Sequence, residues 1–187
     1  MFINQSNNKV SGDLVAGNKS ETIININSSS ATDELSALYE KLKFDGAGDA
    51  SNGKFCDKLE HYLSVVTDGD VRGLEAKLQD SGRYDLLNFA MQLKEQATKN
   101  LMRYQSSRTA QRVYTILLDE LHTRFTLIVT PTIQAGASRE EVDERISLIL
   151  QSTKGMLGEN ILEFTVKDLL ALIYFLGGNC HIRWDKC

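Results

Sequence analysis

The chain has 187 residues, of which 42% are hydrophobic, and a formal net charge of −4 at pH 7. This length suits one domain, or one domain with an appendage, and the hydrophobic fraction is enough to bury a core without covalent or metal staples. The negative net charge argues mildly against nucleic acid as the main partner, and no stretch approaches the roughly 20 apolar residues that span a membrane.

A five-residue repeat occupies the start of the chain. Residues 7–19, "NNKVSGDLVAGNK", contain two copies of the pattern Asn/Asp-x-Val-x-Gly. Because side chains alternate faces along a strand, this odd spacing implies either a turn at each glycine or burial on both faces. Gly-Asp and Gly-Asn pairs favour such turns, and the "TIININ" that follows is β-prone and uncharged.

Two such rungs cannot bury a core alone, because repeat units need about three or more neighbours. We therefore interpret residues 1–30 either as a β-arm that other copies of the chain complete or as a disordered polar tail. Under the first hypothesis, oligomerisation depends on eight residues of the rungs and of the strand after them: Val10, Gly12, Asp13, Val15, Gly17, Asn18, Ile24 and Ile26.

From Thr32 onward the apolar residues recur with helical periodicity. "TDELSALYEKL" offers Thr32 or Asp33 as the N-cap of a first helix. After the loop "FDGAGDASNG", a second helix is predicted around residues 55–66, and "VRGLEAKL" predicts a short third one. The composition therefore predicts a boundary near residue 30, with an N-terminal β-arm (residues 1–30) and a helical domain (residues 31–187).

Residues 83–130 contain neither glycine nor proline. A single helix of that length would run on the order of 70 Å, which is too long for one compact domain. We expect a break near Ser106 and Ser107. The predicted buried stripes are Leu86, Ala90, Leu93, Ala97, Leu101 and Tyr104 before the break, and Val113, Leu117, Leu121, Phe125 and Ile128 after it.

The last part of the chain predicts two more helices and a short tail. "SREE" is a capping box that opens a helix at Ser138, to about Gln151. "TVKDLLALIYFL" is a very apolar helix that ends at Gly177 and Gly178. The tail "NCHIRWDKC" alternates enough to be a short extended segment. The predicted fold class is thus mainly α, a bundle of about six or seven helices preceded by a short β-arm or β-helix-like rung.

The sequence offers no recognisable catalytic or metal motif. His61, His122 and His181 are scattered, and the spacing of Cys180, His181 and Cys187 fits no standard zinc site. "GDLVAGNK" lacks the GK[ST] ending of a phosphate loop. We expect no enzyme activity, no cofactor and no metal, with Cys180 as a structural thiol. Three cysteines without CxxC spacing, and no visible signal peptide, favour a cytoplasmic location.

One local charge feature stands out. Residues 86–118 carry five basic side chains against one acid, Glu95, so this segment is +4 in a protein of −4 overall. Candidate nucleic-acid contacts are Lys99, Arg103, Arg108 and Arg112. Because only Tyr104 could stack a base and the basic positions do not follow one helical stripe, we favour a solvated face or a docking surface for an acidic partner.

Several segments together resemble a known family. These are "VSGDLVAGNK", "RGLEAKL", "LKEQATKNLMRYQSSRTAQRV", "LHTRFTLIVTPTIQAG" and "LIYFLGGNCHIRWD". In this order they resemble the C-terminal domain of bacterial ABC-three-component conflict systems, over nearly all of residues 8–185. The most specific pieces are Pro131 in "TPTI" and the closing "YFLGGNCHIRWD".

The resemblance implies a role in assembly. Such systems combine an SMC-like ABC ATPase, a middle component and an effector that carries this domain, and are thought to act against phage or plasmids. Members often have an effector domain ahead of the rungs, whereas about seven residues precede them here. We therefore expect either a stand-alone component or a toxic activity that resides in another subunit.

Two functional hypotheses follow. The first is a non-catalytic adaptor of a defence complex, which forms a homo-oligomer through residues 1–28 and binds the SMC-like ABC ATPase and an effector subunit. The second is a small nucleic-acid-binding or regulatory protein that uses the basic segment. In the first, Ile182, Arg183 and Trp184 are candidate partner-binding residues; Trp184 is either an interface anchor or folds back onto the core.

Overall fold

The computed structural model describes residues 29–45, 54–66 and 72–185. Across these ranges the regular structure is entirely helical. The α-helices are α1 (Ser29–Asp45), α2 (Asp57–Leu63), α3 (Leu74–Asp80), α4 (Leu87–Arg103), α5 (Arg108–Arg124), α6 (Thr130–Gln134), α7 (Arg139–Met156) and α8 (Val166–Gly178). A 3₁₀ turn, Tyr84–Leu86, leads into α4, and a π-helix, Phe125–Val129, joins α5 to α6.

If the continuous segment 108–134 is counted once, the described part of the chain contains seven helices. The prediction of a mainly α bundle with six or seven helices is therefore confirmed. The predicted β-arm and its eight oligomerisation residues lie outside the described residues.

The predicted break between α4 and α5 is confirmed. Ser107 is the N-cap of α5, and its hydroxyl accepts a hydrogen bond from the Ala110 amide at 3.2 Å. Both predicted stripes face the interior. Their buried residues are Ala90, Leu93, Ala97 and Leu101 on α4, Val113, Leu117 and Leu121 on α5, and Phe125 in the π-helix, while Leu86, Tyr104 and Ile128 are half-buried.

Pro131 is the second residue of α6, which follows the π-helix without a break. In an α-helix, the ring of a proline clashes with the carbonyl four residues earlier and its nitrogen donates no hydrogen bond. In a π-helix the backbone hydrogen bonds join residues five apart instead of four. We attribute the change of helix type before Pro131 to this steric demand.

Two capping boxes set the starts of the last helices. The Ser138 box predicted from the sequence is present, and α7 runs five residues beyond the expected Gln151, to Met156. A second box, formed by Thr165 and Asp168, opens α8. In each box the side chains satisfy backbone amides that the helix itself leaves without partners.

Helix α8 is the centre of the bundle. Its residues from Ala171 to Gly177 are all buried, and it contacts α3, α4, α5 and α7. Helix α1 packs on α5 and α7, and α2 packs on α5. Helix α1 begins at Ser29, three or four residues before the N-cap expected at Thr32 or Asp33. In the ranges that the structure describes, no helix combines the length and the apolar character needed to cross a membrane.

Candidate functional site

The C-terminal segment, residues 179–185, turns back on α8 instead of extending. The amide of Cys180 donates to the Gly177 carbonyl at 3.3 Å, and that of His181 donates to the Leu176 carbonyl at 2.9 Å. Cys180 has a φ of 64°, the left-handed conformation that usually requires glycine at this position. The prediction of an extended tail was wrong, because these two bonds form a Schellman-type helix end.

The turn brings the apolar side chains of the C-terminal segment into the core. Ile182 and Trp184 are each 4% exposed. The Trp184 ring packs edge-on to Phe125 at a centroid distance of 5.7 Å and lies 5.5 Å from Tyr174. Of the two interpretations of Trp184, this position corresponds to the one in which the ring folds back onto the core.

The charged side chains of the segment pair with one another. Asp185 is 5% exposed and accepts hydrogen bonds from Arg183, at 2.8 Å, and from Arg72. Burial by itself raises the pKa of the Asp185 carboxyl, but the hydrogen bond and charge of Arg183 and the charge of Arg72 outweigh it, so this pKa lies below its ordinary value. The candidate partner-binding residue Arg183 is thus partly engaged within its own segment.

The three histidines converge on Tyr62, which corrects the interpretation of them as scattered. We call His61, Tyr62, His122 and His181 the histidine cluster. The His181 ring lies 5.1 Å from those of His61 and Tyr62 and 6.2 Å from that of His122. The residues come from α2, α5 and the C-terminal segment, so their separation in sequence hid the contact.

Hydrogen bonds fix the cluster. The Tyr62 hydroxyl donates to Asp119 at 2.7 Å, and the Tyr62 carbonyl accepts from the Asn179 amide at 2.9 Å and lies 3.2 Å from Nε2 of His181. Burial lowers the pKa of both His122 and His181 and therefore favours their neutral forms. The cluster thus joins α2 to the end of the chain through uncharged imidazoles.

Two cavities flank the C-terminal segment. One has a volume of about 320 Å³ and is lined mainly by polar side chains of the 108–134 segment and of the turn, among them His122, Thr126, Thr130, Gln134, Cys180 and His181. The other, of about 390 Å³, lies on the side of Trp184 and includes Arg72, Asp80, Arg83, Arg139 and Asp185. The arginines of the second cavity already form ion pairs: Arg83 with Asp143, Arg139 with Asp85 and Arg72 with Asp185.

No group of three or more histidine, cysteine or acidic side chains within the described ranges could hold a metal ion. The imidazole of His181 is directed to a backbone carbonyl, that of Tyr62. The cluster is therefore suited to positioning the chain and offers a neutral, hydrogen-bonding wall to the smaller cavity.

The basic segment does not present one continuous charged surface. Lys99 pairs with Glu95 at 2.6 Å on α4, and Arg112 pairs with Glu34 of α1 at 2.6 Å. Arg103 and Arg108 are exposed, at the end of α4 and the start of α5. Of the four candidate nucleic-acid contacts, these two keep charges that no acid of the described ranges neutralises.

Sequence reasoning missed a buried lysine. Lys77 is 1% exposed, and its ammonium group donates to the carbonyls of Gly177, at 2.7 Å, and Ile182, at 3.2 Å. The signal was its position three residues after Leu74 and one before Leu78, in the buried stripe of α3. A charged side chain at such a position requires partners inside the protein.

Comparison with known protein families gives one match. The family model of C-terminal domain 9 of the ABC-three component (ABC-3C) systems matches residues 73–184. The match begins at the N-cap of α3 and ends at Trp184, and it includes His122, His181 and Lys77. No curated protein and no solved structure matches the chain. Since the matched residues make up more than half of the 187-residue chain, it belongs to the family of C-terminal domain 9 of the ABC-3C systems.

Proposed function

We propose that the protein is a non-catalytic assembly component of an ABC-three component system, an adaptor that joins its partners and self-associates through residues 1–28. The observation that carries this proposal is the family match over residues 73–184, which spans the bundle from α3 to the C-terminal segment. The proposed partners are an SMC-like ABC ATPase and an effector subunit. Nucleic acid is not a direct partner in this proposal.

The charged groups near the cavities are bound to partners within the protein, which supports a non-catalytic role. Arg72, Arg83 and Asp185, which line the larger cavity, form ion pairs within the same chain, and the buried Lys77 is bound to the Gly177 carbonyl. The hydroxyl of Tyr62 is likewise bound to Asp119. Such groups stabilise the fold, and the cost of removing them from these partners opposes their use on a substrate.

Because Ile182 and Trp184 are buried, we place the docking surface elsewhere, on α4. Its solvent face carries Met91 and Met102, which are 47% and 49% exposed, and Tyr84 precedes it with 56% of its surface exposed. Flexible methionine side chains adapt to partner surfaces. Because Lys99 and Arg103 lie on the exposed side of the same helix, we propose that this face binds an acidic segment of a partner subunit.

Self-association is tested by light scattering on the full chain and on a version that starts at Ser29. We expect a higher mass for the full chain, because two pentad rungs are completed by those of other copies. Gly17→Val should act like the deletion if Gly17 adopts a positive φ, which β-branched residues strongly disfavour. Equal masses for the two versions would remove the arm from the proposal.

Docking on α4 is tested by capture of the co-expressed ATPase and effector subunits. The double variant Met91→Ser and Met102→Ser should reduce capture at least tenfold while the circular dichroism spectrum and melting temperature stay unchanged. Leu148→Ser is the matched control, since Leu148 is 46% exposed on α7. Equal losses for both variants would contradict a specific surface on α4.

The alternative function, nucleic-acid binding, is favoured by the exposed side chains of Arg103 and Arg108. A duplex bound there would be released by salt, because each neutralised phosphate contributes about 0.9 to the slope of log K against log salt. Arg103→Ser with Arg108→Ser should lower that slope by about two. If no complex forms with DNA at low salt, this alternative is excluded.

A further inference from the structure

The smaller cavity beside the C-terminal segment has the size of a ligand pocket. It lies between the 108–134 segment, which contributes Thr126, Thr130 and Gln134, and the C-terminal segment, which contributes residues 180–183. Its volume of about 320 Å³ is at the lower end of the roughly 300–1,000 Å³ that is usual for small-molecule sites. The cavity therefore has room for one small molecule but not for a polymer.

The polar side chains on the helical side of this cavity are not used inside the protein. Within the described part of the chain, the side chains of Thr126, Thr130 and Gln134 form no hydrogen bond. By contrast, three other helical threonines donate their hydroxyls to the carbonyl four residues earlier, at 3.0, 2.9 and 2.8 Å: Thr98, Thr115 and Thr132. Two hydroxyls and one amide, each able to donate and to accept, are therefore open to a ligand.

The π-helix keeps these three side chains on one line. Four residues exceed one turn of an α-helix, but they fall short of one turn of a π-helix, because its hydrogen bonds span five residues. Thr126 lies in the π-helix, and Thr130 and Gln134 are the two ends of α6, so the two rotations about the axis oppose each other. The line is about 12 Å long, at about 1.5 Å per residue.

The cavity offers no unpaired charge. Its two ionic side chains, Arg183 and Asp185, pair with each other at 2.8 Å. Burial lowers the pKa of both His122 and His181, which favours uncharged imidazoles. A charged ligand would lose its hydration here without gaining a free counter-charge. The site therefore suits an uncharged molecule with several hydrogen-bonding groups.

The remaining surface suits a flat ring. Ile133 and Ile182 are buried and add apolar surface to the cavity. The rings of His122 and His181 lie 6.2 Å apart at an angle of 70°, so a ring stacked on one imidazole meets the edge of the other. Nucleobases stack on histidine side chains, and their edges carry the mixture of donors and acceptors that hydroxyl and amide side chains bind.

We propose that this cavity binds an uncharged nucleoside. The base packs against the isoleucines and the imidazoles, and the hydrogen-bonding groups of the base and ribose pair with Thr126, Thr130 and Gln134. Such binding requires no reaction, so it goes beyond the proposed assembly role and does not depend on it.

The test is isothermal titration calorimetry of the full chain with adenosine, inosine, cytidine and uridine near neutral pH. We expect saturable binding of at least one nucleoside with a Kd below about 1 mM, and an affinity within twofold for its 5′-monophosphate. The double variant Thr130→Val and Gln134→Leu should weaken binding at least tenfold. Thr132→Val is the matched control that should bind normally, since Thr132 is on the same helix but does not line the cavity.

Alkylation of Cys180 by iodoacetamide locates the site without any substitution, because Cys180 is partly exposed and lines the cavity. The bound nucleoside should slow this reaction, as measured by peptide mass spectrometry. The alkylation of Cys56 should not change, since Cys56 is also partly exposed but lies at the N-cap of α2.

Absence of saturable binding for all four nucleosides would overturn the proposal. Equal affinity for D-ribose alone would also overturn it, because the base would then contribute nothing. A monophosphate that binds more than twofold tighter would show an anion site instead. Binding that leaves the alkylation of Cys180 unchanged would place the nucleoside elsewhere and would contradict the proposal as well.

Discussion

At the scale of single residues, the tightest constraint lies between Gly177 and Trp184. A Cβ atom on Gly177 would come within 2.3 Å of the Trp184 ring. The ring cannot withdraw, because it packs against Phe125 and Tyr174. Gly155 provides the opposite case, since a Cβ there meets no atom within 4 Å.

Gly177→Ala should therefore destabilise the protein by about 1–3 kcal/mol, as overpacked cores do. Gly155→Ala should instead stabilise it by about 0.5–1 kcal/mol, because alanine is the better helix former at a site with free space. Urea unfolding monitored by circular dichroism measures both. A variant at Gly177 that is as stable as the wild type would mean that the ring has room to move.

Thr153 is a second position at which a single substitution should change the stability of the protein. Its side chain is fully buried on α7, and its hydroxyl has no hydrogen-bond partner within the described part of the chain. Thr115 is equally buried, but its hydroxyl donates to the Gln111 carbonyl at 2.9 Å. The two threonines thus differ in whether the cost of burying a hydroxyl is offset.

Thr153→Val should raise the free energy of unfolding by about 1 kcal/mol, because valine has the same shape and no unsatisfied group. Thr115→Val should lower it by about 0.5–1.5 kcal/mol, since a hydrogen bond is lost. Differential scanning calorimetry on the pair compares them directly. Equal shifts in the same direction would contradict this account.

At the scale of elements, α8 and the C-terminal segment form one packing unit. The Schellman-type turn at Cys180 reverses the chain, and Ile182 and Trp184 then cover the face of α8 that contains Gly177. The ion pairs of Asp185 with Arg72 and Arg183 close the end of this unit. The last described residues therefore belong to the core, and residues of this segment line both flanking cavities.

Trp184→Ala should lower the free energy of unfolding by about 3–5 kcal/mol, because it removes a large buried ring. Trp184→Phe should lower it less and should leave capture of the partner subunits intact. Thermal melting and co-purification together measure these effects. If Trp184→Ala lost capture with an unchanged melting temperature, Trp184 would be an interface anchor.

At the scale of the whole molecule, the histidine cluster connects three distant parts of the chain. It joins α2 to α5 and to the C-terminal segment, and the hydrogen bonds of the Tyr62 carbonyl hold these parts together. Because both His122 and His181 have lowered pKa values, the folded protein binds fewer protons there than the unfolded chain does. Stability should therefore depend on pH.

The free energy of unfolding should be at its full value above the ordinary histidine pKa of 6.5 and should fall as the pH drops below it. Asp119 opposes this effect at His122, whereas a charge on His61 adds to it. Urea titrations between pH 7.5 and pH 5 cover a window above the range in which carboxylates protonate. His122→Gln should flatten the curve, and an unchanged slope in that variant would exclude His122 as a cause of the pH dependence.

The sequence by itself determined the mainly helical fold and the limits of the helices that carry a clear capping or break signal. The capping box at Ser138, the break at Ser107 and the buried stripes of α4 and α5 depend on residues that are close in the chain, so local periodicity was enough to predict them. The family resemblance was likewise visible in the segments from "RGLEAKL" to "CHIRWD", and the match to residues 73–184 confirms it.

Only the tertiary structure decided where the side chains of the candidate site meet. Tyr62 and His181 are 119 residues apart in sequence, and Lys77 and Gly177 are 100 apart. No local pattern encodes such contacts, because they result from the packing of α2, α3 and α5 around the end of α8. The same packing buries Trp184, for which the sequence leaves open an interface anchor or a place on the core, since the turn at Cys180 directs the ring onto Gly177.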